Sequence, residues 1–184
     1  MGVASDRLSD QHQRFIAAQR VFFVATAPSG DGGHVNLSPK GYDTFRVLGP
    51  REVAYLDLTG SGAETAAHLR DNGRITFLFC SFDDKPLLLR VYGRGEVLEP
   101  GAPAFAALAA RFPSRPGMRS VIRVDVDRVS TSCGYSVPLM TFAGERPTLD
   151  EWAGRRSDDD LAAYRAKHNA RSIDGLPALE RPRT

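Results

Sequence analysis

Four segments of strand length most constrain the fold of this chain. They are residues 52–58, 75–82, 87–98 and 120–130. Regular alternation of apolar and polar residues, as in residues 120–130 (S-V-I-R-V-D-V-D-R-V-S), predicts a β-strand with one face on a core. The segment 87–98 contains Gly93 and Gly95, and internal glycines favour a strand that bends.

Two shorter apolar runs precede these segments. Residues 21–26 and 34–37 flank the turn sequence P-S-G-D-G-G, which predicts a hairpin and brings the count to about six strands. Helices are predicted at residues 5–19, at residues 104–112 and from Ser157 onward. Because strands do not alternate regularly with helices, a parallel doubly wound sheet is disfavoured. The pattern favours a mainly β fold with flanking helices, built as a closed or nearly closed antiparallel barrel.

Size and charge narrow the functional classes. The chain has 184 residues, 42% of them hydrophobic, so one domain spanning residues 1–184 can bury a sizeable core. Residues 132–184, where the strand pattern loosens, are expected to form a C-terminal extension packed on the barrel or on a partner subunit. Lys plus Arg number 24 and Asp plus Glu 22, with no long block of either sign. A nucleic-acid partner is therefore not implied.

Metal binding and membrane insertion are not expected either. The two cysteines and four histidines lack the spacing of a zinc or redox motif. No stretch approaches the roughly 18 apolar residues of a membrane span, and the first residues carry no apolar signal region. We expect a cytoplasmic protein without contact to membranes.

Residues 59–69 (T-G-S-G-A-E-T-A-A-H-L) are predicted to form a corner between a strand and a helix. Ser61 followed three residues later by Glu64 predicts a capping box. Gly60 and Gly62 ease the turn. This interpretation is complete as structure alone. A helix start also presents free N–H groups and partial positive charge, which suit a phosphate, so both interpretations stay open.

The glycines of this corner do not form a dinucleotide-binding loop. That motif, G-x-G-x-x-G, would require glycine where Thr65 stands, and no regular strand–helix–strand unit surrounds it. No nucleotide-binding P-loop, G-x-S-x-G nucleophile turn or H-E-x-x-H zinc motif occurs in the chain.

Four further side chains are candidates for a binding site. Lys40, one of three lysines, lies in S-P-K-G and is either a phosphate ligand or a solvated surface charge. Arg90 interrupts an apolar run and must reach solvent or bind an anion. Cys133 and Tyr135 follow the last predicted strand, where they either line a pocket or serve packing alone.

Two parts of the sequence resemble the pyridoxamine 5'-phosphate oxidase superfamily, whose members are FMN-binding split barrels and usually homodimers. Residues 37–43 (L-S-P-K-G-Y-D) are similar to its L-x-K-G-x-D region. Residues 55–69, followed by N-G-R at 72–74, resemble its strand, threonine-containing turn and helix. The resemblance runs from the first helix to about Ser130 and implies a split antiparallel β-barrel that forms a homodimer with sites at the subunit interface.

The resemblance also implies a cofactor and its ligands. FMN lies between two subunits in that family, and its phosphate is held by basic residues, the turn threonine and the helix start. The residues that would bind FMN here are those of the strand before the turn, the corner and one strand arginine: Asn36, Leu37, Ser38, Lys40, Thr59, Gly60, Ser61, Glu64, Thr65 and Arg90. Glu64 and Thr65 stand where the oxidase itself has an Arg-Lys pair.

Three functions are compatible with these features of the sequence. The first is an FMN-dependent oxidoreductase acting on an unknown small molecule. The second is a noncatalytic protein that binds a flavin, a deazaflavin or a haem, and Glu64 in place of a base favours it. The third is a purely structural dimer whose corner is capped and empty. Since no counterpart of the oxidase's C-terminal substrate-binding arginine and histidine is found, oxidation of pyridoxamine phosphate is not expected.

Overall fold

The structure, a computed structural model, describes residues 4–179 as an antiparallel sheet with flanking helices. The strands are β1 (Ala4–Ser5), β2 (Phe22–Thr26), β3 (Asn36–Lys40), β4 (Phe45–Gly49), β5 (Glu52–Leu58), β6 (Arg74–Cys80), β7 (Leu88–Leu98) and β8 (Met118–Ser132). The helices are α1 (Asp10–Ala18), α2 (Glu64–Asn72), α3 (Phe105–Ala109), α4 (Thr148–Gly154) and α5 (Asp158–His168). The segments at 180–184 and 1–3, for which the sequence predicted part of a C-terminal tail and the chain start, lie outside the described residues.

The sheet curls into a split barrel. Its strands run in the order β3-β2-β6-β7-β8-β5-β4, with β1 paired to β8, and every pairing is antiparallel. Among residues 4–179, no pairing joins the edge strands β3 and β4, so the sheet is not closed. The predicted hairpin of β2 and β3 and the predicted β-rich split-barrel fold are confirmed.

An aromatic cluster holds the two halves of the barrel together across the split. Phe22 of β2 packs edge to face on Phe45 of β4, with ring centroids 5.0 Å apart, and on Tyr55 of β5 at 5.8 Å. Phe77 and Phe79 of β6 complete the cluster. Edge-to-face pairs at these separations add stability beyond the burial of their area. Apolar packing therefore takes the place of the missing strand pairing.

The pairing of the two longest strands is interrupted at Gly93, one of the two glycines that the sequence placed inside β7. The register of β7 on β8 shifts between Tyr92 and Gly93. A Cβ atom on Gly93 would lie 2.2 Å from the carbonyl oxygen of Asp125. Because the backbones approach this closely, only glycine fits at this bulge.

Five elements of secondary structure differ from the prediction. The two-residue β1 and the half-buried β4 were missed. Strand β3 extends through Pro39 to Lys40, and it tolerates the proline because it lies at a sheet edge. Residues 148–154 form α4 where no helix was expected. Helix α3 has five residues, fewer than predicted, and no side chain caps its start.

The chain after β8 returns to the corner through α4 and α5. Ala178 and Leu179 pack on the small residues Ala63, Ala66 and Ala67 at the start of α2. The predicted helix after Ser157 is confirmed, and its capping box joins Ser157 to Asp160. In the described part of the chain, no helix is long and apolar enough to cross a membrane.

Candidate functional site

One face of β3 presents a polar row toward the opening of the barrel. Asn36, Ser38 and Lys40 are half-buried and alternate with the exposed Leu37 and Pro39, as the two-residue period of a strand requires. The Asn36 amide donates to Thr65 Oγ1 at 3.0 Å. The Lys40 ammonium lies 3.9 Å from Asp57 Oδ1. The row therefore bridges the split to both α2 and β5.

A buried ion pair lies beneath this row. Arg119 Nε and Nη2 donate to the two oxygens of Asp57 at 2.6 and 3.3 Å, and the Ser120 hydroxyl donates to Asp57 at 3.2 Å. Burial acts to raise the pKa of Asp57, but the charges of Arg119 and then Lys40, with these hydrogen bonds, hold that pKa below its ordinary value. Asp57 therefore carries its charge at neutral pH.

The same arginine shapes the turn at residues 60–63. Arg119 Nη1 donates to the carbonyl of Gly62 at 2.9 Å and to Asn169 Oδ1 at 3.0 Å. The Asn169 amide donates in turn to the carbonyl of Gly60 at 2.9 Å. Since the C=O and N–H of a trans peptide point in opposite directions, the N–H groups that follow these carbonyls point away from the buried pair.

The predicted capping box at the start of α2 is wrong. The helix begins at Glu64, its N-cap is Ala63, and no side chain accepts a hydrogen bond there. Glu64 Oε1 accepts the N–H of Ile173 at 3.3 Å instead. The start is displaced because Arg119 and Asn169 fix the turn from outside the local sequence. An uncapped start leaves N–H groups free for an anion.

The turn threonine is used within the fold. Thr59 is fully buried, and both its hydroxyl and its N–H donate to the carbonyl of Gly117 at 2.7 Å. This contact fixes the corner to the chain just before β8. Ser61, two residues further on, is exposed. Between them, Gly60 contributes its carbonyl to the bond with Asn169.

Three of the predicted residues lie away from the corner. Arg90 projects from the face of β7 opposite the core, where its Nη1 donates to Ser132 Oγ at 3.0 Å. Cys133 and Tyr135 follow the end of β8 and are exposed, Tyr135 by 83%. The corner adjoins the start of that strand, and its 15 residues separate the two groups by roughly 45 Å along the chain.

Two open pockets flank β3. The first, of about 430 Å³, lies between the start of β3 and the corner and is bordered by Asn36, Leu37, Ser61 and Glu64, with Ile173 at its rim. The second, of about 870 Å³ and mainly apolar, lies at the Lys40 end of β3. Among residues 4–179, no group of three or more acidic, cysteine or histidine side chains is placed to hold a metal ion.

Sequence reasoning missed the residues that fix the corner, which are Asp57, Arg119 and Asn169. Asp57 gave a usable signal, because the strand period places it on the same side as the core residues Val53 and Tyr55. A carboxylate on that side requires a buried partner. The sequence does not identify that partner, because the chain contains 21 arginines. This number is the 24 Lys and Arg residues without the three lysines.

Comparison with known proteins agrees with this architecture. The sequence model of the pyridoxamine 5'-phosphate oxidase family matches residues 8–133. The chain is 40% identical over 196 aligned residues to the pyridoxamine 5'-phosphate oxidase family protein ustO of Aspergillus flavus, covering 97% of this chain and 78% of the relative. The chain therefore belongs to the pyridoxamine 5'-phosphate oxidase family.

Solved structures support the fold. A Lactobacillus delbrueckii protein provisionally described as a pyridoxamine 5'-phosphate oxidase superposes with a TM-score of 0.54 at 20% identity, covering 68% of this chain and 94% of that one. HupZ from Group A Streptococcus superposes with a TM-score of 0.51 at 23% identity, covering 66% of this chain and 91% of that one. At these identities the likeness concerns the fold alone.

Proposed function

We propose that this protein binds FMN at the corner and acts as a flavin-dependent oxidoreductase on a small molecule. The observation that carries the proposal is the uncapped start of α2, which lies beside the polar row of β3. Lys40, Ser61 and Thr65 would hold the phosphate together with the N–H groups of the turn. Asn36 and Ser38, with Leu37 at the edge, would lie along the flavin ring.

Basic groups and free N–H groups lie close to the corner. Lys40 and Arg119 carry two positive charges, and Asp57 and Glu64 carry two negative ones, so the attraction for a phosphate would come from the placement of Lys40 and of the free N–H groups and not from net charge. Glu64 is bonded to the Ile173 N–H and does not occupy the helix start as a cap. The partial charge of the helix end adds to the attraction for an anion. These groups take the place of the basic pair found in the oxidase itself.

Bound FMN would supply the transfer of a hydride or of electrons, and the chain would supply placement. Side chains of the row and the turn would orient the ring and the phosphate. Among the described residues, the pocket beside the corner contains Glu64 and His34 as its titratable side chains. We assign no catalytic acid or base, and the substrate class beyond a small molecule stays open.

A second copy of the chain would complete the site. Val35, Leu37 and Ile173 border the pocket and are exposed by 74%, 66% and 72%. Large apolar side chains grouped at a pocket mark a surface that gains by being covered. We propose a homodimer in which the partner covers this edge. Light scattering during gel filtration would measure twice the 20.1 kDa mass of one chain, and a monomer would contradict the proposal.

Noncatalytic binding of a flavin, deazaflavin or haem is the second candidate. It is favoured by Glu64, an acid where the oxidase has a base. Turnover separates the two functions. An FMN-loaded protein whose flavin is reduced by donors and reoxidised by acceptors only at the rate of free FMN would support binding alone.

The phosphate contact is tested by comparing two flavins. FMN and riboflavin differ only by the phosphate, so the ratio of their dissociation constants isolates that group. Replacing Lys40 by Ala should weaken the binding of FMN by about 1–3 kcal/mol, the range for a charged hydrogen bond. The affinity for riboflavin should stay unchanged. Lys85→Ala, at an exposed lysine, is the matched control. Failure of the unmodified protein to take up FMN at micromolar concentration would contradict the proposed function.

A further inference from the structure

A buried histidine is connected to the polar row but belongs to no pocket. His68 of α2 is completely buried, and its Nδ1 lies 2.9 Å from the hydroxyl of Thr26 on β2. Its Nε2 has no hydrogen-bond partner. A buried polar atom without a partner has a free-energy cost. The buried Nε2 of His68 therefore lowers stability, whereas its Nδ1 forms a hydrogen bond that leads to the polar row.

A continuous chain of hydrogen bonds leads from His68 to the row. The Asn36 amide nitrogen donates to Thr26 Oγ1 at 3.1 Å and to Thr65 Oγ1 at 3.0 Å. The Asn36 carbonyl oxygen accepts from the Ser38 hydroxyl at 3.0 Å. Both amide protons and the carbonyl of Asn36 are thus engaged. The direction of each bond depends on the direction of the next.

Each hydroxyl has one proton and two lone pairs, so the bond from Asn36 to Thr26 is compatible with a Thr26 hydroxyl that donates to His68. Thr26 accepts from Asn36 and can direct its own proton to His68 Nδ1. His68 is then neutral, with its proton on Nε2. Thr65 accepts from Asn36, so its own proton points to other groups, namely the neighbouring Tyr55 hydroxyl or a ligand. Ser38 donates to Asn36, so its remaining lone pairs can accept from a ligand.

We infer that His68 is a positioning residue whose neutral Nε2–H form makes Thr65 a donor and Ser38 an acceptor toward the ligand. The inference rests on the proposed function for the identity of that ligand. A donor at the helix start matches a phosphate oxygen, and an acceptor further along β3 matches an N–H group on the edge of a flavin ring. The buried histidine thus selects for a ligand with this order of groups.

Protonation of His68 would reverse the chain. An Nδ1–H donates to Thr26, and in the reversed arrangement the Thr26 proton goes to the Asn36 carbonyl, for which the amide group turns over. Thr65 then donates to Asn36, and Ser38 accepts from it. Toward the ligand, each hydroxyl exchanges its role.

Burial keeps His68 in the neutral form near pH 7. It lowers the pKa of His68 below the ordinary value of 6.5, and the carboxylates of Asp174, Glu64 and Asp71 offset this only in part. A hydrogen bond with the Thr26 backbone also raises this pKa, and the lowering by burial outweighs all four groups. Acidification below pH 6.5 is therefore needed to reverse the chain.

The tautomer can be measured without any ligand. Long-range 1H–15N correlation spectra distinguish the two nitrogens, and the four histidines of the chain leave few signals to assign. We expect His68 to carry its proton on Nε2 at pH 7.5 and to be assigned by its loss in His68→Asn. A proton on Nδ1 at that pH would overturn the inference, whether or not FMN binds.

Ligand affinity supplies the second test. In His68→Leu and in Thr26→Val the chain is broken, and we expect FMN to bind about tenfold more weakly, equivalent to the roughly 1.4 kcal/mol of one hydrogen bond. His68→Asn places an amide at the position of Nδ1 and should restore most of the affinity. Thr26→Val leaves His68 in place and serves if His68→Leu does not fold.

The two proposals fail in different ways. If the unmodified protein binds no FMN, the proposed function fails, while the tautomer measurement still tests the hydrogen-bond direction. If it binds FMN and both chain-breaking variants bind equally well, the role of His68 is refuted. Riboflavin titrated from pH 7.5 to 5.5 should lose affinity only where His68 is present, since it lacks a phosphate that titrates in this range.

Discussion

Two different joints stabilise the split barrel, an apolar one across the split and an ionic one between the neighbouring strands β5 and β8. The apolar joint is the cluster around Phe22, which packs on Phe45 and Tyr55 from the opposite half. The ionic joint is the Asp57–Arg119 pair, which binds the turn before α2. The apolar joint supplies stability that is insensitive to exact geometry. Directional bonds fix the shape of the corner at the expense of burying charge.

Truncation of the apolar joint is expected to have the largest effect. Phe22→Ala removes a ring that contacts four others and should lower the free energy of unfolding by about 3–5 kcal/mol. Urea denaturation measures it. Tyr135→Ala, at a side chain exposed by 83%, is the control and should change stability by less than about 0.5 kcal/mol. Equal effects of the two variants would refute the role given to the cluster.

Removing one partner of the ionic joint should lower the free energy of unfolding nearly as much as Phe22→Ala does. Arg119→Met leaves the buried carboxylate of Asp57 without its partner and should lower stability by about 3–5 kcal/mol. Arg123→Met on the same strand removes a surface pair with Glu96 and should cost at most about 1 kcal/mol.

Replacing both partners separates stability from shape. The double variant Asp57→Leu with Arg119→Met should recover most of the lost stability, because no charge stays buried alone. It should not recover FMN binding, since the carbonyl of Gly62 loses its donor. Recovery of both properties would show that the ionic joint has no part in shaping the corner.

A smaller effect is expected from Asn169, which links the C-terminal segment to the corner. Asn169→Asp keeps an acceptor for Arg119 but removes the donor to the Gly60 carbonyl. Stability should fall by about 1–3 kcal/mol, the cost of a buried group left unpaired. FMN affinity should fall in parallel. An unchanged affinity, measured by quenching of flavin fluorescence, would separate the C-terminal segment from the site.

The mildest prediction concerns pH. Because the pKa of folded His68 lies below 6.5, the unfolded chain takes up a proton first as the pH falls, so stability is full above pH 6.5 and declines below it. Denaturation of the unmodified protein at pH 7.5 and 5.5 should show this loss, and His68→Asn should reduce it. Asp57, whose pKa is lowered, contributes only at more acidic pH. If the unmodified protein and His68→Asn lose the same stability between pH 7.5 and 5.5, the loss comes from groups other than His68.

The apolar joint could largely be predicted from sequence. Residues of β2, β5, β6, β7 and β8 show the alternation or apolar runs of strands, and the need to cover edges favours a curled sheet that is nearly closed. Strand β4 escaped prediction because all five of its residues are half-buried, without alternation. Its place becomes defined only when Phe45 packs in the aromatic cluster.

The ionic joint could not be predicted, because its bonds join distant parts of the chain. Arg119 lies 62 residues from Asp57 and 57 from Gly62, and Asn169 lies 109 from Gly60. Local pattern placed a capping box at Glu64, but these long-range bonds set where α2 begins. Tertiary contacts thus overrode a local signal, as is common at helix ends.

A crystal structure of the protein with FMN would test the proposed site most directly. We expect the phosphate within hydrogen-bonding distance of Lys40 Nζ and of the N–H groups at the start of α2, with the ring along Asn36 and Ser38. A phosphate bound instead near Arg90 and Cys133, at the far end of β8, would contradict it.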